Sequence, residues 1–340
     1  MALSFPILFL LTTLRADEST AALIRRLSDR DEDADEILEK LEAALTKQQD
    51  AESVRQLVGL LGGDDQFRED KILNLLKRLA YSDGKTLESS VPDLTQLVLK
   101  TTGRQQFDTI ELVGIIGKRA ASSADALRTI AAFDRPIAQG SIGSLMCRAR
   151  AAGALLRIDV DEPNAVPFLC QMTKAEKVTV RSTAFGALRF SQSTDARVKD
   201  AYVAAFSDRD LAAQALAIDG ALTSGAVTAT AVVPQIKKLL TQPSVTVITR
   251  PYYLGEHKPS HRQIVANFAP QLGANAKDVV PELIEMLGAP DSWEQLAAIY
   301  ALGRIGPNAA AALPALQDLE RANTPKIEYV REALMRIEKK

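Results

Sequence analysis

Histidine and cysteine occur only twice each in the 340 residues, tryptophan once, and aromatic residues make up 5% of the chain. So little histidine and cysteine leaves few soft metal ligands, and no C-x-x-C-H haem signature, Gly-rich phosphate loop or G-x-S-x-G elbow is present. Nor is there a basic surplus: 41 Lys and Arg face 43 Asp and Glu, a formal net charge of −2. A protein that holds nucleic acid through its phosphates carries such a surplus on at least one domain, so nucleic acid is not the expected partner. No apolar run reaches the twenty or so residues that span a bilayer. Alternating, β-branched stretches are also missing, and a chain poor in aromatics and rich in alanine suits packed helices better than a β-sandwich.

The first sixteen residues, MALSFPILFLLTTLRA, stand apart. Phe5 to Leu14 is almost uniformly apolar and Ala16 precedes an abrupt polar switch, which reads as a signal-peptide core cleaved after Ala16. No Lys or Arg precedes the run and Arg15 sits at the cleavage region; the alternative is an apolar first helix packed on the next. The first reading makes the mature chain exported, periplasmic or extracellular; the second leaves it cytoplasmic. Downstream, DRDEDADE at 29–36 concentrates acidic charge, as a solvated helix start or a basic partner would want. Cys147 and Cys170 are expected to be buried and unpaired, although export would allow them to pair.

What the chain has in quantity is a repeat. AVPFLCQM (165–172), AVVPQIKKLL (231–240), DVVPELIEML (278–287) and AALPALQDL (311–319) each place a proline before apolar residues on one helical face. Proline suits the first turn of a helix, where its missing N–H is not needed. Starting from Arg55, equivalent positions at Pro92, Leu127, Pro167, Ala201, Pro234, Pro281 and Pro314 fall 33–40 residues apart, with one interval of 47 between Pro234 and Pro281. Alanine-rich segments such as ARAAGALLRID (149–159) and QLAAIYALGRIG (295–306) lie between them as second helices. Two short helices per 33–40 residues predict an α-solenoid, in which each unit buries its apolar face against its neighbours. The expected fold is all-α: a right-handed solenoid of about eight or nine helical hairpins over residues 17–340, closed by a polar capping helix at about 326–340.

ALGRIG (301–306) followed by ALPAL (312–316) resembles the HEAT repeat family, especially the short HEAT-like repeats of phycobilisome-lyase type. The resemblance returns more faintly in ALLRID (154–159) with AVPFL (165–169), and in QLGANA (271–276) with VVPEL (279–283). It implies an armadillo-like scaffold that holds another protein along its groove. Enzymes that share such repeats leave no matching residues. There is no His-Glu pair of the kind deoxyhypusine hydroxylase uses for iron, no basic concave face as in the alkylpurine glycosylases, and no set assignable to bilin attachment. The single Trp293 fits a partly buried structural role. RIDVDEPN (157–164) gathers carboxylates that suit capping of the following helix. No cofactor is implied, and the chain is read as a binding protein rather than an enzyme.

The 47-residue interval holds an insertion at about 244–260, expected to join the second helix of one unit to the first of the next. It contains both histidines in TRPYYLGEHKPSH (249–261). His257 and His261 have H-x₃-H spacing with Glu256 beside them, but Pro259 breaks the helix that would align the imidazoles on a metal. Insertions in repeat arrays fall on a rim, often the binding rim, and paired tyrosines bury area at low entropic cost. The candidate partner-binding residues are therefore Arg250, Tyr252, Tyr253, His257, Lys258 and His261. An enzymatic site at this loop, or a purely structural assembly role, is the alternative.

Overall fold

The computed structural model describes residues 19–28, 34–48, 50–63, 65–137, 140–158, 161–191, 195–247 and 258–339. Eighteen α-helices among them pair into nine hairpins. In chain order the pairs are α1 (Thr20–Ser28) with α2 (Ala34–Gln48), α3 (Ala51–Gly59) with α4 (Gln66–Asp83), and α5 (Val91–Lys100) with α6 (Gly103–Ile116). Next come α7 (Ala124–Ala131) with α8 (Ile142–Arg157), α9 (Ala165–Met172) with α10 (Val178–Leu188), and α11 (Ala196–Ala205) with α12 (Leu211–Ser224). The last three are α13 (Ala229–Thr241) with α14 (His261–Phe268), α15 (Val280–Met286) with α16 (Ser292–Ile305), and α17 (Leu313–Arg321) with α18 (Ile327–Glu338).

Local chemistry sets the ends of these helices. Pro92, Pro281 and Pro314 each occupy the second position of their helix, where no N–H is needed. Pro167 is the third residue of α9. Pro234 departs from the expected first turn: α13 begins at Ala229, so this proline lies inside the helix and withholds one ladder bond. Most second helices open on a side-chain cap, from Asp65, Ser141, Asp210, Ser260 and Asp291. Three of them, α6, α12 and α16, stop at a glycine with φ near +70° (Gly117, Gly225 and Gly306), a conformation open to glycine at no steric cost.

Each second helix packs on the second helix of the next unit, from α2 through to α18. They approach closely because small residues meet. A Cβ added to Gly153 of α8 would lie 2.7 Å from the Cβ of Ala187 in α10, and one on Gly303 of α16 would lie 2.9 Å from the Cα of Ala333 in α18. The first helices form the other, looser layer, and the face lined by the second helices is termed the inner face. The core falls into two clusters that meet at α8. Cys147, Ala151 and Leu155 face the N-terminal cluster, and Leu145, Ala149 and Ala152 face the C-terminal one.

Candidate functional site

The rim that joins first helix to second is held by a recurring device. Near the start of the second helix, a polar side chain reaches back to the preceding first helix or loop. Gln106 donates to the Val98 carbonyl at 2.9 Å, Gln214 to Asp208 at 2.5 Å and Gln295 to Leu287 at 2.8 Å. Arg148 grips four carbonyls, those of Ala131, Ala132, Arg135 and Pro136. Arg181 donates to Ala175 and Glu176 and forks onto Asp208 at 2.7 and 2.8 Å. Backbone acceptors that would be orphaned at helix ends are thereby satisfied.

In the seventh hairpin the same task falls to His261. The Val245 N–H donates to its Nδ1 at 3.2 Å, so Nε2 carries the proton and donates to the Leu239 carbonyl at 3.0 Å. Burial pushes this imidazole below its ordinary pKa, against the opposing pull of the Leu239 and Val245 carbonyls. Around it the chain pairs with itself: Val247 N–H donates to the Pro259 carbonyl at 2.8 Å and His261 N–H to the Val245 carbonyl at 3.0 Å. Buried Glu294 of α16 locks the pair. Its Oε1 accepts from Ser244 at 2.7 Å and Ser260 at 2.5 Å, and Arg262 lies 3.0 Å from Oε2.

Two sequence expectations change here. The insertion lies inside one hairpin, between first helix α13 and second helix α14, and not between units, because the proline-marked helix before it is the first of its pair. His261 is fully buried, so it holds the base of the insertion and does not face a partner. Lys258 is exposed at the same base. Arg250, Tyr252, Tyr253, Glu256 and His257 lie outside the described residues, as do residues 1–16. Among the described residues no group of three His, Cys, Asp or Glu side chains is placed to hold a metal ion. Cys147 and Cys170 are free thiols, each pushed up to about 11 by burial. Glu162 accepts the Asn164 N–H at 3.3 Å and pairs with Arg128 at 2.8 Å, whereas the expected cap is absent, because no side chain accepts from the first turn of α9. Trp293 stands 51% exposed on the first turn of α16, further out than its sequence context suggests.

The inner face carries a second constellation that sequence reasoning passed over. Lys77 of α4 reaches Asp108 at 2.9 Å and Glu111 at 2.7 Å, both on α6. Burial disfavours its ammonium, but Glu111 and Asp108 outweigh that and hold its pKa above the ordinary value. Glu111 also takes Arg150 of α8 at 3.1 Å, and the Arg150 guanidinium lies 4.2 Å from the Phe107 ring centre. One face along, Arg157 lies 4.3 Å from the Phe190 ring and 6.0 Å from Tyr81. Arg189 lies 5.3 Å from Phe190 and pairs with Asp219 at 3.1 Å. Arg150 and Arg157, seven residues apart on one helix, were the signal available in the sequence. At the C-terminal end, Tyr300 and Tyr329 lie 5.4 Å apart and stand 43% and 41% exposed.

No family model matches the chain, and no curated protein matches it by sequence. Solved structures do match. An engineered protein aligns over 94% of this chain and 89% of its own at 16% identity, with a TM-score of 0.43. The complex of CpcE and CpcF of phycocyanin lyase from a Nostoc species aligns over 73% of this chain and 94% of that one at 19% identity, with a TM-score of 0.40. Kap121p bound to Pho4p aligns over 94% of this chain and 37% of its own at 10% identity, with a TM-score of 0.51. At these identities the likeness concerns fold alone, and that fold is an all-α helical solenoid.

Proposed function

We propose that the protein is a non-catalytic scaffold that holds a protein partner along the face lined by its second helices, with the insertion between α13 and α14 as an additional contact. The observation that carries this reading is the set of aromatic side chains standing out of the second helices. Tyr81 is 58% exposed on α4, Trp293 and Tyr300 lie two turns apart on α16, and Tyr329 follows on α18. Exposed aromatics on rigid helices bury large area with little loss of rotamer freedom, which is how binding hot spots work. In a solenoid such residues repeat along one continuous surface that an extended partner follows. Kap121p, of similar fold, has been solved with Pho4p bound, which is in keeping with this use of the surface.

The test is affinity capture from native extract with three proteins of equal helicity by circular dichroism. One is intact, one has residues 248–257 replaced by a Gly/Ser linker, and one carries Tyr300→Ala and Tyr329→Ala. Leaving residues 258–261 in place keeps the His261 and Glu294 anchor, so loss of capture by the linker variant reports the insertion itself. Loss by the tyrosine variant reports the inner face. Unchanged capture by both sinks the assignment of these surfaces.

A further inference from the structure

The looser layer of first helices holds a groove of about 560 Å³ between α9 and α11. Phe185 of α10 lies behind it, and Pro167 and Cys170 on one wall face Ala201, Ala204 and Ala205 on the other. Its cause is local. Three and four residues after the repeat's marker position stand Lys237 and Lys238 in α13, and Ile284 and Glu285 in α15. In α11 the same two places hold Ala204 and Ala205, and Ala204 is exposed. Short side chains on one wall leave the space open.

The groove is mostly apolar, and its polar groups are of two kinds. Thr173 donates to the Cys170 carbonyl at 2.8 Å, Asp208 takes Arg181, and Arg197 takes Asp195. Gln171, Lys174 and Asp200 make no side-chain hydrogen bond or ion pair among the described residues. Lys174 stands just past the end of α9 and Asp200 in the first half of α11, so a cation and a carboxylate lie on opposite walls. From Pro167 to Lys174 the wall runs about 10 Å, so a groove of this volume is roughly 7 Å across. That is too narrow for a helix of about 10–12 Å and wide enough for an extended strand.

We infer that the groove between α9 and α11 takes an extended apolar segment of a protein partner, flanked by one acidic residue that meets Lys174 and one basic residue that meets Asp200. Three extended residues span about 10 Å, the length of the wall. Gln171 carries both a donor and an acceptor, which suits it to the backbone of a strand lying beside it. A fatty acid fits less well, because it supplies a charge for Lys174 and none for Asp200. This surface lies apart from the inner face and does not depend on the reading given for that face.

The experiment uses short fluorescein-labelled peptides with every combination of Ala, Val, Leu and Phe at three central positions. One set is flanked by Lys and Glu in both orders, a second by Gln on both sides and a third by Lys on both sides. Binding is read by fluorescence anisotropy on the full chain, on Ala204→Phe, which fills the groove from an exposed position, and on Lys174→Glu. Circular dichroism first establishes equal helicity. The expected result is that peptides with Lys and Glu flanks bind about five- to tenfold more tightly than Gln-flanked ones, as two partly exposed ion pairs allow. Ala204→Phe weakens them about tenfold or more. Lys174→Glu removes the preference and transfers it to the peptides with Lys on both sides, since both walls are then acidic. Equal binding of the charged and Gln-flanked sets overturns the proposal, as does binding that survives Ala204→Phe. So does the failure of every peptide to bind, whether or not a fluorescent fatty acid binds in their place.

Discussion

The two halves of the solenoid solve the same packing problem with different residues. From α1 to α8 the buried cluster is dominated by leucine, as in Leu41, Leu57, Leu75, Leu76 and Leu94, and it contains a buried charge network around Lys77. From α8 to α18 alanine is the commonest buried residue, and Ala213, Ala215, Ala217 and Ala221 line a single helix. Leucine holds helices apart and fills the gap with branched side chains, while alanine and glycine let backbones come nearly into contact. The first strategy fails by cavities. The second fails by overpacking.

Removing charge from the N-terminal half should have the largest effect. Lys77→Ala leaves Asp108 and Glu111 buried with only Arg104 and Arg150 to answer them, and a loss of about 3–5 kcal/mol in urea unfolding is expected. Next, Leu75→Ala opens a cavity and should cost about 2–5 kcal/mol, whereas Ala217→Gly in the other half costs about 1 kcal/mol through helix propensity alone. Equal losses at these two sites would break the comparison. At the seam, Gly153→Ala drives a methyl group toward Ala187 and should destabilise by about 1–3 kcal/mol. Gly143→Ala, on the same helix with nothing near its added Cβ, should be neutral or stabilising by up to about 1 kcal/mol, as thermal melts would show.

The smallest effect sharpens the comparison by pH. His261 is held below its ordinary pKa, so between that ordinary value and its lower folded value the unfolded chain binds the proton first. Stability from this group is complete above the ordinary histidine value and is lost as pH falls through the window beneath it. Lys77 is held above its ordinary value, so its contribution is complete below that value and is lost as pH rises through its folded pKa. Hydrogen exchange should therefore show the base of the insertion opening first in acid and α4 and α6 opening first in alkali. Exchange of the Val245 and Val247 amides that does not respond to acid would remove His261 from its anchoring role.

Much of the architecture was legible in the sequence because repeats are local objects. Proline positions, glycine stops and an apolar period repeated every 33–40 residues specify short helices and their pairing without long-range information. The candidate site was less legible. His261 drew attention as one of two histidines beside paired tyrosines, yet its chemistry is spent on the Leu239 carbonyl, as that of Gln106, Gln214 and Gln295 is on theirs. Aligning the second helices by their caps would have exposed this series. Composition alone does not, because Arg, Gln and His share only a donor reaching the same place. Arg150 and Arg157 were hidden for another reason: their partners Glu111, Phe107, Phe190 and Tyr81 lie on other parts of the chain, remote from α8 in sequence.

By itself, the sequence determined the two-helix unit, its spacing along the chain and the presence of one insertion, all of which follow from short-range sterics and apolar periodicity. Tertiary structure alone decided that the insertion falls inside a hairpin and not between two, how closely the second helices pack, and which charged side chains meet across α4, α6, α8 and α10. Those outcomes depend on how closely neighbouring backbones approach, as where Gly153 meets Ala187, and that distance is set by both partners together.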